Sequence, residues 1–547
     1  MTSPRFRTGL LLALIISPAG RADPGAAGTE YTHVTVLGTT DLHGHIFPMD
    51  YYTNRPAQLG LAKVATLIAN ARLGAPHLLL LDSGDTIQGS PLEYYHNRVD
   101  NAPPDPMMLA MNYLHYDAMT VGNHDYNYGP AVQKKAHAEA SFPGLSANTY
   151  LAGTDVNAFQ PYIVKDVNGV RVGVLGLTTP DIPYWDDPAD FAGLEFRSPL
   201  TEAKKWVAVL RTREHADVVV IAMHMGLERD LGTNQPLIQL PHENQAMAIA
   251  EEVPGVDLIL MGHTHLNIPS LTINGVLLTQ ADYWGYYLAR ADLYLKRSPG
   301  GPWTVWAKQA ATIPVTKSVD ADPAVLRLAA GPHEATLAWL QRKVGESAKA
   351  LDLEGALRHD TAIMDLVERA MLEFGHADVA MAAPLSMDAR IPQGPVSVRD
   401  IAGVYIYDNY PVVIEITGAE LKAALEHAAQ YQKPYVPGKA GWMGYATWPY
   451  TFDTAIGVDY VIDLTQPAGH RIRDLQFHGA PLDPNRKLRV VITNYRYNGG
   501  GGFPTLKGAP VVSTSSEEIR NVIIDWVEQH HQIPTEPLNN WRIVPSP

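Results

Sequence analysis

The sequence predicts two domains of mixed α/β and layered α+β architecture, and three observations carry that reading. First, 547 residues at ~100–200 residues per domain exceed one ordinary domain. Second, short β-branched and aliphatic runs flanked by Gly and Asp alternate with helix-like segments from Tyr31 to about Lys308, the pattern of buried strands between helices. Third, a proline-capped helical stretch then intervenes before a second block with strands and helices of its own. Hydrophobic residues at 46% and charged residues at 18% support sizeable cores and exclude global disorder.

In chain order, the amino terminus reads as a secretory signal. Arg5 and Arg7 precede an apolar run at 9–16, and Gly20-Arg21-Ala22 offers a small-x-small cleavage site before Asp23. Residues 1–22 are therefore expected to be removed, leaving a periplasmic protein. The apolar run falls short of the ~20 residues that span a bilayer, so no stable membrane anchor is expected. Strand-like runs follow at 33–38, 78–81, 170–177, 218–222 and 256–261. They place a first domain at 30–315. Asp322-Pro323 supplies an N-cap and an N1 proline, and the helical segments after it, interrupted near Gly331-Pro332, form a connector at 316–351. The second domain, 352–547, has helices expected near 363–374 and 418–431 and strands near 411–416 and 488–493.

Charge and cysteine content narrow the function. With 42 Lys+Arg against 57 Asp+Glu the net charge is −15, which repels polyanions and argues against a nucleic-acid polymer as partner. A small anionic ligand would need a local device such as a metal ion. The absence of cysteine excludes disulfides, Cys-ligated zinc and thiol catalysis. Oligomeric state is not written in the sequence.

Five motifs each sit just past an apolar run, at an expected strand end: Thr40-Asp41-Leu42-His43-Gly44-His45, Asp82-Ser83-Gly84-Asp85, Gly122-Asn123-His124-Asp125, Met223-His224-Met225-Gly226 and Gly262-His263-Thr264-His265. Spacing i, i+2 in Asp41/His43 and His263/His265 lets two ligands face one way from extended chain. Singly, Gly122-Asn123-His124-Asp125 or Gly262-His263-Thr264-His265 more often marks a turn with a satisfied histidine. Together they supply carboxylates, imidazoles and an amide oxygen, a mixture that divalent metals accept. A carboxylate shared by two metals is the arrangement of two-metal hydrolases.

At this point the sequence resembles the calcineurin-like binuclear metallophosphoesterases of the 5′-nucleotidase group, across nearly the whole chain. The resemblance implies an amino-terminal four-layer αββα sandwich, a connector helix and a carboxy-terminal α/β substrate-binding domain. It also implies two divalent ions (Mn, Zn, Fe or Co are not distinguished), one held by Asp41, His43, Asp85 and His265. The other would be held by Asp85, Asn123, His224 and His263, with Asp85 bridging. His124 matches the catalytic histidine, which contacts the substrate phosphate, and hydroxide held by the two metals would attack phosphorus in line. His45 is either a support to the ligands or merely exposed.

In the second block, Asn494-Tyr495-Arg496-Tyr497-Asn498 precedes a glycine run ending at Gly502-Phe503, and Trp448-Pro-Tyr450-Thr-Phe452-Asp453 forms another aromatic cluster. Aromatics beside a mobile loop make a platform for a nucleobase. The resemblance implies a two-ring sandwich: Tyr495 is one ring, Tyr450 the choice for the other, with Trp448 and Phe452 as rivals. Asp388-Ala-Arg390 stands where the family has a Gly-Gly-Ile-Arg turn, which makes Arg390 a substrate contact without its glycines. Tyr407-Asp408-Asn409 resembles a Phe-Gly-Asn turn, with Asn409 the matching residue. Asn127 stands where the 5′-nucleotidase and UDP-sugar hydrolase branch carries a carboxylate beside the catalytic histidine, and it enters the catalytic set with His124. Asn-Tyr-Gly here, the Asn-Tyr-Arg start of the loop and 457–463 resemble the 2′,3′-cyclic-nucleotide 2′-phosphodiesterase/3′-nucleotidase branch instead. That branch is the first expectation, with a nucleotide as substrate, and 5′-nucleotidase/UDP-sugar hydrolase the second. A catalytically silent nucleotide- or metal-binding protein is the alternative of another class.

Overall fold

A computed structural model describes residues 28–545 apart from 185, 233, 235–241, 438–443, 446 and 516; the expected signal peptide lies outside the described residues. Two six-stranded sheets form the first domain. The first sheet runs in the order Thr304–Pro314, Tyr287–Arg297, Glu30–Thr39, Leu79–Asp82, Ala118–Thr120 and Gly144–Leu145. The second runs Asn267–Ile273, Val276–Ala281, Leu258–Met261, Val218–His224, Val170–Thr178 and Tyr162–Val167.

Period-two alternation sorts the strand residues between two faces. Val34, Val36, Leu79 and Leu81 point inward against Val172, Val174, Val218, Val220 and Leu258 of the other sheet. Leu37 and Leu80 point outward under helices Leu61–Gly74 and Pro106–Tyr113. Helices Pro199–Thr212 and Ala246–Glu252 cover Leu175, Val219, Ile221 and Ile259 on the second sheet's outer face. The result is helix, sheet, sheet, helix: the four-layer sandwich.

Asp322 caps the connector's first helix, Pro323–Leu328, through the backbone N–H groups of Ala324 and Val325. The break falls at Ala329, and Gly331 and Pro332 lie in the first turn of Ala330–Leu340, where proline's missing N–H forfeits no helical bond. Lys343–Ser347 then pairs with Gly394–Ser397 and Gln532–Ile533. The second domain is built on a five-stranded sheet ordered Thr454–Ile456, Val379–Ala382, Lys487–Thr493, Pro411–Thr417 and Val511–Thr514. Helix Ala362–Gly375, capped by Thr361, packs on one face, and Gly418–Ala429, opened by a Thr417–Glu420 capping box, on the other. One apolar cluster runs from Ile68 and Met111 through Val325 and Leu340 to Ile363 and Ile523, so the connector joins the cores of both domains. No described helix is long and apolar enough to cross a membrane.

Candidate active site

Strands Glu30–Thr39, Leu79–Asp82 and Ala118–Thr120 are parallel in the first sheet, as are Val170–Thr178, Val218–His224 and Leu258–Met261 in the second. Their carboxyl ends therefore open on a common edge, where α/β sheets build sites. Asp41, His43 and His265 bring ligand atoms within 4.8 Å of one another, and so do Asp41, Asp85 and His224. Nε2 of His43 lies 3.1 Å from Nε2 of His265, and Nε2 of His224 lies 3.0 Å from both Asp85 Oδ2 and Asn123 Oδ1. The His263 ring packs 5.1 Å from that of His224. Its Nε2 meets Glu243 at 2.8 Å, the carboxylate–imidazole contact that orients a metal-binding ring.

The residues fit a divalent-metal site on two grounds. Carboxylate, imidazole and amide oxygen are the donors such ions take, and the backbone is bent to deliver them. Asp41, His43, Asp85, His263 and His265 all have positive φ, a conformation that costs non-glycine residues energy and collects at functional sites. The flanking glycines are close-packed: a Cβ on Gly122 would stand 2.2 Å from Asp85 Oδ1.

Electrostatics agree with clustered opposite charge. Burial opposes ionisation of Asp85, yet His224 and His124 hold its carboxyl well below the usual range. Burial likewise opposes a charged His224, but Asp85 and Asp41 lift it to about 10. His43, dominated by burial, falls to about 3. Asp125 fastens two loops together, accepting the backbone N–H groups of Gly122, Asp85, Thr86 and Ile87 at 2.9, 3.2, 2.8 and 3.1 Å.

His124 stands beside the cluster, its ring 5.4 Å from that of His43. Its Nδ1 lies 2.6 Å from Asn127 Oδ1, and Asn127 Nδ2 donates to Asp186 Oδ1 at 2.7 Å. Burial and the neighbouring Asp190 push the Asp186 carboxyl well up. A cavity of about 300 Å³ separates the domains here, lined by Asn123, His124 and Glu243 on one side and Tyr407, Asn409, Tyr450 and Tyr495 on the other. Tyr495 lies over the glycine run: a Cβ on Gly500 would sit 2.4 Å from its ring. Buried Arg496 bonds both oxygens of Asp453, the Gly500 carbonyl and the Tyr450 carbonyl, tying the two aromatic loops together.

The calcineurin-like phosphoesterase family matches residues 34–267, and the 5′-nucleotidase C-terminal domain family matches residues 343–508. A 2′,3′-cyclic-nucleotide 2′-phosphodiesterase/3′-nucleotidase of Yersinia enterocolitica is 30% identical over 98% of this chain and 92% of its own length. The chain belongs to the calcineurin-like metallophosphoesterases of the 5′-nucleotidase family. It is a hydrolase of phosphoric esters acting on nucleotides, and the family implies divalent metal ions. The trifunctional nucleotide phosphoesterase protein YfkN of Bacillus subtilis is 28% identical over 98% of the chain, which spans 40% of that relative's length. A Staphylococcus aureus structure described as a candidate 5′-nucleotidase, in complex with α-ketoglutarate, superposes with a TM-score of 0.81 at 25% identity. It covers 94% of this chain and 100% of its own.

Within this metallophosphoesterase the seven expected ligand residues lie at one edge of the sandwich, and His124, Asn127, Asn409, Tyr450 and Tyr495 line the facing cavity. Arg390 is not brought there: its strand pairs with Leu351–Asp352, and the exposed guanidinium turns back on the carbonyls of Met387 and Ala389. Of the rival rings, Phe452 is core and Trp448 is exposed. His45 is buried, not exposed; its Nδ1 lies 3.1 Å from the Leu42 carbonyl and its ring stacks on Trp284 at 4.3 Å. Sequence reasoning passed over Glu243, Asp186 and the ring of Tyr407. The last stood in a quoted turn and could have been found there; the other two carry no local signal.

Proposed function

We propose that this metallophosphoesterase is an exported enzyme with two divalent ions that hydrolyses 2′,3′-cyclic nucleotides and 3′-nucleotides. Asp41, His43, Asp85 and His265 hold one ion; Asp85, Asn123, His224 and His263 hold the other. Bound there, the ions lower the pKa of a water to the neutral range and neutralise phosphate charge. Asn127 Oδ1 accepts from Nδ1 of His124 and leaves Nε2 for the phosphoryl or leaving oxygen, where it stabilises developing charge. Tyr450 and Tyr495 take the base between their rings, and Asn409 offers a polar contact to the sugar. Closure of the second domain over the cavity limits water around the reacting ester.

The choice of substrate is carried by Asn127. The branch acting on 5′-nucleotides and UDP-sugars is expected to have a carboxylate there, and the Yersinia relative named for the cyclic activity aligns with nearly the whole chain. The 5′-nucleotidase reading draws its support from the Staphylococcus structure. A kinetic panel of 2′,3′-cyclic AMP, 3′-AMP, 5′-AMP and UDP-glucose separates the two. The first pair should be turned over with the higher kcat/KM; the reverse order establishes the second reading.

A further inference from the structure

Asn127 poses a problem of orientation. An asparagine amide has an acceptor oxygen and a donor NH₂ in nearly the same shape. Only the oxygen can accept a proton from Nδ1 of His124. A reversed amide would select the other imidazole tautomer and take the lone pair away from Nε2. Asp125 lies close by in sequence, but its carboxylate is spent on four backbone N–H groups.

The structure supplies the missing determinant 59 residues away. Asp186 Oδ1 receives Asn127 Nδ2 at 2.7 Å while Asn127 Oδ1 receives His124 Nδ1 at 2.6 Å. The Asp186 side chain is buried and lines the cavity, and its Oδ2 has no hydrogen-bond partner among the described residues. A proton on this carboxyl would go to Oδ2, so Oδ1 accepts in either state. A buried oxygen without a partner lowers stability, so folding alone does not explain this carboxyl.

We propose that Asp186 is a positioning residue: by accepting from Asn127 it fixes the amide that holds His124 with its proton on Nδ1 and Nε2 toward the substrate. This rests on His124 being the residue that meets the phosphoryl group. Asp186 replaces, one side chain removed, the carboxylate that the 5′-nucleotidase branch places directly beside its histidine. The second domain steadies the same segment. Asn498, in the loop of Tyr495, donates to the Asp186 carbonyl at 3.2 Å, and Lys507 Nζ lies 4.0 Å from the centre of the Tyr184 ring.

The test uses the full metal-loaded protein with 2′,3′-cyclic AMP and bis-p-nitrophenyl phosphate. Asp186→Ala should lower kcat about 10–100-fold, the loss typical of partners one shell behind a metal-site imidazole. KM and bound metal should stay unchanged, and the melting temperature should not fall. Asp186→Asn, which keeps an acceptor oxygen, should recover most of the loss. In an Asn127→Asp background, where a carboxylate touches His124 directly, Asp186→Ala should cost little. Equal losses in both backgrounds, parental kcat in Asp186→Ala, or a parallel fall in metal content or melting temperature would overturn the proposal. His124→Ala is measured alongside. Parental kcat in that variant refutes the underlying assignment of His124, whereas a loss there with none in Asp186→Ala refutes the role of Asp186 alone.

Discussion

Asp85 is the residue on which the site turns. Its Oδ2 lies 3.0 Å from His224 and 3.8 Å from His43, while its Oδ1 accepts the His124 backbone N–H at 2.8 Å. A carboxylate in that place faces both candidate metal positions and the loop of His124. Asp85→Ala should abolish hydrolysis and reduce the metal bound per chain, measured by elemental analysis; an active or fully metallated variant would refute the shared-ligand assignment. His124 should behave differently. His124→Ala is expected to keep its metal and lose ~10²–10⁴-fold in kcat, the range for proton transfer by a placed side chain. Metal loss in step with rate would make His124 a ligand instead.

Among the elements, helices Pro91–Tyr94 and Pro106–Tyr113 carry a buried carboxyl pair that sets a pH dependence of stability. Asp105 caps the second helix by accepting the Met108 N–H at 2.8 Å, and Asn97 donates to Glu93. Burial pushes Asp105 up to about 6, and burial followed by the charge of Asp105 pushes Glu93 well above its ordinary 4.5. The folded chain thus binds more protons than the unfolded chain between the ordinary and the raised values. The pair's contribution to stability is full below the ordinary values and is lost as pH rises through the raised ones. Glu93→Gln keeps an acceptor for Asn97 and cannot ionise. Its melting temperature should gain on the parent's as pH rises from about 4.5 to beyond 6; a pH-independent difference would show that Glu93 stays ionised throughout.

At the scale of the whole molecule, two domains close on one cavity, and buried charge holds the seam. Asp408 of the second domain accepts from Gln88 and Tyr128 of the first, at 2.6 and 3.2 Å, while Arg520 holds its other oxygen at 2.8 Å. Arg98 reaches across to Glu518 and Tyr410. In the proposed function, cleavage chemistry belongs to the first domain and base recognition to the second. Stacking is felt alike in ground and transition states, so its loss appears mainly in KM. Tyr495→Ala should raise KM for 2′,3′-cyclic AMP and 3′-AMP by a factor corresponding to about 1–3 kcal/mol. Bis-p-nitrophenyl phosphate, which has no base, should be hydrolysed nearly as before. Equal losses on both substrate types would make Tyr495 a structural ring.

Features written in neighbouring residues could be read before any coordinates. Alternating Val and Leu runs mark strands because period two puts one set of side chains on each face. Asp41-Leu-His43, Gly-Asn123-His124 and His263-Thr-His265 declare themselves by residue type and turn glycines, although Asp41, His43, His263 and His265 stand at positive φ and not in the extended chain their spacing suggests. The Asp322 cap is equally local. What the chain does across distance was decided only by packing. Asp186 meets Asn127 through the fold of the second sheet, Glu243 meets His263 across 20 residues, and Trp284 stacks on His45 from a turn more than two hundred positions on. Arg390 shows the converse: its residue type suits a phosphate contact, yet pairing with Leu351–Asp352 turns it away from the cavity. Motif chemistry fixes which side chains can react, but two facing sheets and a closed second domain choose their partners, because contact energies between distant segments exist only once the whole chain has packed.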